Sequence, residues 1–462
     1  MIEFDNYLSP GRKGHLVGIG GVSMSSLAEV LKGMGISVVG SDMNENPNVV
    51  SLRAHGIHVH VGHDAANITD DIEFVVRTAA VHDDNPEIIR AHELGIPVFE
   101  RTQAWGAISK GYSNALCISG THGKTTTTSM CTHILMAADR DPTVMIGGTL
   151  PLLNAGHRVG RGNTIIMEAC EYYNSFLSFH PTVAVILNIE ADHLDFFKDL
   201  DDVEHSFRAF ADLVPQSGTV LANGEDENTM AALKGKEDVL TFGLHHGDFH
   251  AENLTWDHGF PSFDVVWNDE PKAHITLQVP GEHNVKNAIA AAAAALVLGI
   301  PGWAIQQGLQ DFRGAGRRFE FKGKAKGADI YDDYAHHPGE LKALLGMASN
   351  LGYQRVICAF QPHTYTRTKA LFDEFAEVLK KPDVTFLAQI FAARETNEVG
   401  ISSDDLAAAI PGAKAAANFA QLTDWLYDMA QPGDLILTVG AGDIYTVGEA
   451  LVQRDRENQT NA

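Results

Sequence analysis

Short runs of β-branched and other apolar residues alternate along most of this chain with stretches whose apolar positions recur at helical spacing. That is the pattern of parallel strands covered by helices on both faces. The first series predicts strand His15–Gly20, a helix near Met24–Met34, strand Ser37–Asp42, and then the apolar runs FVVRTAA and IPVFE, ending near Arg101. A second series opens with NALCISG (Asn114–Gly120), continues into a helix over Thr125–Ala137, and adds strands NTIIMEA and TVAVILN. Between about Asp248 and Pro280, polar turns separate FHAENLTW, FDVVW and HITLQV, which predicts a small antiparallel sheet inside the second series. The Ala-rich run Ala288–Leu298 reads as a buried helix. The Gly- and base-rich stretch DFRGAGRRFEFKGKAKGAD predicts a loop and a domain boundary near residue 325. A third series follows: DIYDDYA, helix ELKALLGMAS, strand RVICAF, helix TKALFDEFAEVLKK, strand VTFLAQI, and LILTVGAGDI running into a last helix. The prediction is an α/β protein of three tandem domains, 1–108, 109–325 and 326–462, with Rossmann-like sheets at both ends and a mostly parallel sheet in the centre. A length of 462 residues agrees with this count at roughly 150 residues per domain.

Charge narrows the partners. The 34 Lys and Arg against 59 Asp and Glu leave a net charge of -25, which repels a phosphate backbone and argues against general nucleic-acid or anionic-membrane binding. Any anionic ligand must be small and gripped locally. The longest apolar run falls well short of the roughly 20 residues of a membrane span, and the N-terminus lacks an apolar signal core. The 4 cysteines form no CxxC pair, so a reduced cytoplasm is the expectation.

The sharpest chemical signal is CISGTHGKTTTT. Glycine-rich backbone between a strand and a helix leaves N–H groups free to cradle phosphates, Lys124 can neutralise their β and γ oxygens, and Thr125 is placed to ligate Mg²⁺. Strand NTIIMEA delivers Glu168 at its carboxyl end, and TVAVILN runs on into IEADHLD, bringing Asp192 and His193 to the same edge. Mg²⁺ prefers oxygen ligands, so Glu168 is the stronger candidate, with His193 serving a second ion or acting through water. A second glycine turn, GIGGVSM, lies between the first strand and helix. Gly18, Gly20 and Gly21 approach a dinucleotide fingerprint, with Ser23 where a third glycine is usual and Asp42 closing the next strand where a ribose-binding acid would sit. Two phosphate-binding turns in separate domains imply two phosphorylated ligands, one of them fuel and the other substrate.

Taken together, GIGGVSM, DNPE (Asp84–Glu87), GTHGKTTTT, EACEY, NIEADHLDFF, GEHNVKN, GRRFE, DDYAHHP, QPHTYTRT and GAGDI, in this order, resemble the Mur ligase family over essentially the whole chain. The resemblance implies a UDP-sugar-binding first domain, a P-loop ATPase-type central domain and a C-terminal domain that admits an amino acid. It implies ATP on Gly120, Thr121, His122, Gly123, Lys124, Thr125, Thr126 and Asp332, and a UDP-sugar diphosphate on the GIGGVSM turn. Mg²⁺ would be held by Thr125, Glu168 and His193. His283, Asn284 and Asn287 match the adenine pocket, and Arg318 the arginine that reaches the γ-phosphate. Asp332, His336, His337, His363 and Arg367 match residues of the C-terminal domain facing the reaction. Ser23, Cys170 and Thr364 depart from the commonest family pattern.

The activity so implied is ATP-dependent amide formation between L-alanine and the lactyl carboxylate of UDP-N-acetylmuramate through an acyl phosphate, in peptidoglycan precursor synthesis. It is expected of a cytoplasmic monomer or homodimer whose C-terminal domain closes around the substrates about hinges near 108 and 325. His336 or His363 would receive the amine's proton. A ligase adding a preformed murein tripeptide to the same sugar nucleotide, a nicotinamide oxidoreductase built on GIGGVSM and Asp42, and a nucleotide-gated binding module are the competing readings.

Overall fold

The computed structural model describes residues 3–460 except 79, 195, 258 and 394. Three sheets carry the chain. The first has five parallel strands, β1 (Lys13–Val17), β2 (Ser37–Asp42), β3 (His58–Val61), β4 (Phe74–Arg77) and β5 (Val98–Glu100), in the order β3-β2-β1-β4-β5. Strand order reverses between β1 and β4, which puts the topological switch point, where open parallel sheets take their ligands, at the carboxyl end of β1, where the turn Gly18–Gly21 leads into the helix Val22–Gly33. β3 is absent from the sequence expectation because HVHV buries only Val59 and Gly62 follows at once.

The second sheet is formed by β6 (Asn114–Ser119), β7 (Thr143–Leu150), β8 (Ala155–Arg158), β9 (Thr164–Glu168), β10 (Val183–Ile186), β11 (Thr219–Asn223), β12 (Val239–Phe242), β13 (Phe249–Asp257), β14 (Phe260–Trp267) and β15 (Glu270–Thr276). Its order is β15-β14-β13-β12-β11-β10-β6-β9-β7-β8. β6 sits between two parallel neighbours and is buried from Ala115 to Ser119, which is why its sequence is a continuous apolar run rather than an alternating one. β14 and β15 pair antiparallel as predicted. They do not form a separate small sheet, however: β13 joins β12 at the pair Phe242–Phe249 and continues the same ladder, covering an edge that would otherwise be open.

The third sheet has β16 (Glu320–Ala325), β17 (Ala328–Asp333), β18 (Arg355–Phe360), β19 (Val384–Leu387), β20 (Lys414–Ala415) and β21 (Asp434–Val439), ordered β16-β17-β21-β18-β19-β20, with only β16 antiparallel. Alternate residues of β21 enter different cores, Leu435, Leu437 and Val439 on one face and Ile436 on the other, so both faces are covered. The loop expected over 311–329 is corrected here. Its second half is the β16–β17 hairpin, and residue 325 is the last residue before the turn Lys326–Gly327, where both φ angles are positive. An edge strand carrying Lys322 and Lys324 reads as a solvated basic loop in sequence. Residue 108 lies within the helix Arg101–Lys110. The helix expected over TKALFDEFAEVLKK breaks at Leu371 into Tyr365–Ala370 and Phe372–Val378.

The chain forms two compact units. Met1–Leu254, Ser262–Thr276 and Val285–Phe312 make one, and Thr255–Pro261, Leu277–Asn284 and Arg313–Ala462 the other. Within the first, His157 on β8 bonds Glu29 of the helix Val22–Gly33 at 2.9 Å, fastening the first domain to the edge of the central sheet. No helix among the described residues is long and apolar enough to cross a membrane.

Candidate active site

After Ser119 the chain turns through Gly120 (φ +138) and Gly123 (φ +87) into the helix Lys124–Ala137. A Cβ on Gly120 would lie 2.9 Å from Leu187 Cβ, and one on Gly123 would lie 2.6 Å from Asn287 Oδ1, so close packing and left-handed backbone both demand glycine. The back of the loop is braced by Asn188, whose carbonyl accepts from Thr121 N (3.0 Å) and whose Oδ1 accepts from His122 N (2.8 Å). No side chain caps the first turn of the following helix, at Lys124, Thr125 and Thr126. A braced loop opening on an uncapped helix N-terminus is the arrangement that receives phosphate oxygens.

Charge is concentrated beside this loop. Lys124 Nζ donates to the carbonyls of Gly120 and Thr121 and to both oxygens of Glu171, at 3.2 and 3.0 Å. Burial alone would depress the lysine, but the Glu171 carboxylate more than offsets it and holds the ammonium above the ordinary lysine range. Thr125 donates to Glu168 Oε1 at 3.0 Å, and Gly147 N donates to Glu168 Oε2 at 2.8 Å, so the end of β9 is tied to both the helix and β7. His193, at φ +55, stacks its ring on Tyr172 with 4.2 Å between centroids, and its Nε2 lies 4.0 Å from Glu171 Oε1. A hydroxyl, a carboxylate and an imidazole thus converge on one edge, an oxygen-rich set suited to a hard divalent cation.

The N-terminal turn is built differently. Gly18 (φ +80) and Ile19 donate to Ser41 O at 2.8 and 2.9 Å, Gly20 N donates to Asp42 Oδ2 at 2.9 Å, and Asn48 Nδ2 donates to Gly20 O at 2.8 Å. Gly21 precedes the helix with no side-chain cap, and Ser23 lies in its first turn. Asp42, expected at a ribose, instead spends one oxygen on Gly20 N and the other on Asn44 N (3.2 Å), because the tight turn leaves these N–H groups in need of acceptors.

In the second unit Arg317 (φ +58) threads its guanidinium over the carboxyl ends of the third sheet. It donates to Asp332 Oδ2 (2.9 Å) and to the carbonyls of Gly440 and Gly442, and lies over the rings of Tyr334 and Tyr445. Asp332 is fully buried, and Thr438 Oγ1 takes its other oxygen at 2.8 Å, so this residue, expected at ATP, faces the sheet interior. Its neighbour Asp333 accepts from Phe319 N and Ala335 N, and burial, partly offset by Arg318, pushes its carboxyl up to about 6. Arg318 lies over Tyr334 at 5.2 Å. His336, His363 and Arg367 do come together: the two imidazole centroids are 5.7 Å apart and Arg367 Nη1 is 3.4 Å from His363 Nδ1. Burial first, then His336 and Arg367 beside it, holds His363 down to about 4, and burial also lowers His336. His337 caps the helix Pro338–Ala348 through Gly339 N. Asn284, in the first turn of the helix Glu282–Val297, donates Nδ2 to Pro280 O just before it.

Three family models match in succession: the Mur ligase family catalytic domain over 13–113, the Mur ligase middle domain over 118–295, and the Mur ligase glutamate ligase domain over 317–442. The chain belongs to the Mur ligase family. A UDP-N-acetylmuramate--L-alanine ligase of Clostridium novyi is 44% identical over 457 residues, 98% of this chain and 100% of that protein. One of Lachnospira eligens is 46% identical over 95% of this chain and 97% of its own length. Among solved structures, a UDP-N-acetylmuramate-alanine ligase from Thermotoga maritima superposes with a TM-score of 0.82 at 29% identity, covering 96% of this chain and 99% of that one. A murein peptide ligase from Psychrobacter arcticus gives 0.71 at 23% identity over 98% and 99%, a likeness of fold.

In this Mur ligase the residue that sequence reasoning missed is Glu171. EACEY was singled out, yet only its first glutamate was assigned chemistry. The second is 3% exposed and is the partner of Lys124. An acid three positions beyond a strand's end, next to the ligand edge, was the available signal.

Proposed function

We propose that this Mur ligase joins L-alanine to the lactyl carboxylate of UDP-N-acetylmuramate at the expense of ATP. The observation carrying the reading is the loop Gly120–Thr126 with Lys124 buried beside Glu168, Thr125 and His193, in a chain that matches UDP-N-acetylmuramate--L-alanine ligases over nearly its full length. The loop's glycines and uncapped helix would receive the triphosphate, with Asn287 packed against Gly123 and grouped with His283 and Asn284 at the adenine. The oxygens of Thr125 and Glu168, with His193 beyond, would hold Mg²⁺. Bound there, it would spread the charge of the phosphoryl group in transit.

A lactyl carboxylate oxygen attacks the γ-phosphorus, the bond to the β–γ bridging oxygen breaks, and ADP leaves an acyl phosphate. Lys124 would supply positive charge where the transferring oxygens gain it, a task the family resemblance gives to Arg318 as well. The alanine nitrogen then adds to the acyl carbon, loses a proton, and expels phosphate. His336 and His363 are kept neutral at pH 7 by burial and so are able to take that proton, with Arg367 available for the amino acid's carboxylate. Gly18, Gly20, Gly21 and Ser23 would receive the diphosphate of the sugar nucleotide, Asp42 shaping their turn. Asp332 is assigned to holding Arg317. The domains divide these tasks as 1–108, 109–325 and 326–462, with the last extended back to include β16.

The test is phosphate release with ATP, UDP-N-acetylmuramate and each amino acid in turn, with the preformed tripeptide as control. Release with L-alanine is the expected result. Release with the tripeptide alone, or full coupling without ATP, would sink the reading.

A further inference from the structure

The pairing of Lys124 with Glu171 is not part of the reaction just described, and it poses a problem for nucleotide binding. Both groups are buried, with side-chain exposures of 14% and 3%. Lys124 Nζ reaches both Glu171 oxygens, and its remaining contacts are carbonyls of its own loop. Four protein acceptors thus share the three protons of the ammonium, and a phosphate must compete with them. Glu171 has little freedom to leave. Its carbonyl accepts from Asn174 N at 2.8 Å, and the next residues turn sharply, with Tyr173 and Asn174 both left-handed at φ 55 and 54. Such backbone is costly and persists where the surrounding structure fixes it.

A phosphate chain settling on this loop must draw Lys124 away from Glu171. It then leaves a buried carboxylate beside a polyanion, where like charges interact strongly because little water screens them. We propose that Glu171 is a positioning residue that holds Lys124 against its loop in the nucleotide-free enzyme and competes with the phosphates for it, so that nucleotide binding is an exchange of partners at one ammonium. The competition weakens ground-state nucleotide binding and favours release of the spent diphosphate, while the lysine stays ordered between turnovers. His193, 4.0 Å from Glu171, is the neighbouring group able to accept the displaced carboxylate as a hydrogen-bond partner.

This inference rests on the assignment of ATP to the loop, and the experiment separates the two. Metal-free ADP, and tripolyphosphate in parallel, are titrated calorimetrically into the full-length wild-type enzyme, Glu171→Gln and Glu171→Asp, with thermal melting to identify which variants are folded. Glu171→Gln keeps the shape but removes the charge, and should bind ADP about tenfold more tightly than wild type. Its KM for ATP should fall together with kcat. Glu171→Asp withdraws the carboxylate from Lys124 and should tighten ADP by a smaller factor. A role confined to folding or loop support would loosen binding instead, so unchanged or weaker ADP binding in either folded variant overturns the inference while leaving the nucleotide site standing. No ADP binding by the wild-type enzyme would overturn both.

Discussion

The turns Gly18–Gly21 and Gly120–Gly123 both follow a buried strand, both open on a helix without a side-chain cap, and both contain glycines whose Cβ atoms would collide with neighbours. They differ in what surrounds them. The first is braced by a serine carbonyl, an asparagine amide and the Asp42 carboxylate, and carries no cationic side chain of its own. The second is braced by Asn188 and carries Lys124 with two acids and an imidazole within reach. Backbone N–H groups suffice to hold a diphosphate that only has to stay in place. Moving a phosphoryl group also requires positive charge held in place where negative charge develops. On the proposed function the same local device serves as an anchor in one domain and an engine in the other, and the lysine marks which is which.

The comparison breaks most visibly at that lysine. Lys124→Ala should lower kcat in phosphate release by about a thousandfold or more and leave calorimetric binding of UDP-N-acetylmuramate unchanged. Loss of sugar-nucleotide binding as well would mean that the two turns do not serve separate ligands. Glu168→Gln removes an anionic oxygen while keeping the acceptor for Thr125. It should cost about a hundredfold in turnover, raise the Mg²⁺ concentration giving half-maximal rate, and spare the sugar nucleotide again. A Glu168→Gln enzyme with the wild-type Mg²⁺ dependence would take this carboxylate out of the metal site.

Both turns are legible in sequence because they are local: glycines, a strand and a helix lie within a dozen positions, Glu168 announces itself by ending β9, and His193 follows in the segment after β10. What escaped reading is what depends on distant partners. Glu171 meets Lys124 across 47 positions, so its place just beyond β9 points to the ligand edge without naming its partner. Asp332 and Asp333 look interchangeable in DDYAHHP, but strand alternation and the reach of Arg317 commit the first to the interior. β8 and β16 are half-exposed edge strands without a strong apolar alternation, so they read as loop.

Smaller changes sharpen the anchor side. Gly20→Ala would place a methyl 2.6 Å from Asn46 Nδ2 and 2.8 Å from Asp42 Oδ2. Overpacking of this kind costs about 1–3 kcal/mol. The sugar-nucleotide KM should rise about two- to tenfold if half of that cost falls on the turn's shape, with the KM for ATP unchanged. A parallel rise in both KM values would show that the turns are mechanically coupled.

Asp42→Asn is the gentlest and the most discriminating. If the carboxylate gripped a ribose, as its position closing β2 suggests, the amide would lose a charge-assisted hydrogen bond and affinity would fall steeply. In the structure its oxygens already accept from Gly20 N and Asn44 N. Asparagine can satisfy one of these but not both, which loosens the turn, while removing a negative charge from the neighbourhood of an incoming diphosphate, which helps binding. The two effects oppose, so the KM for UDP-N-acetylmuramate should move by no more than about threefold in either direction. The added NH₂ faces a backbone donor, so the variant should also melt at a lower temperature than wild type. A large KM change with an unaltered melting temperature would return Asp42 to direct contact with the ligand, and the anchor would then be read by side chain as well as by backbone.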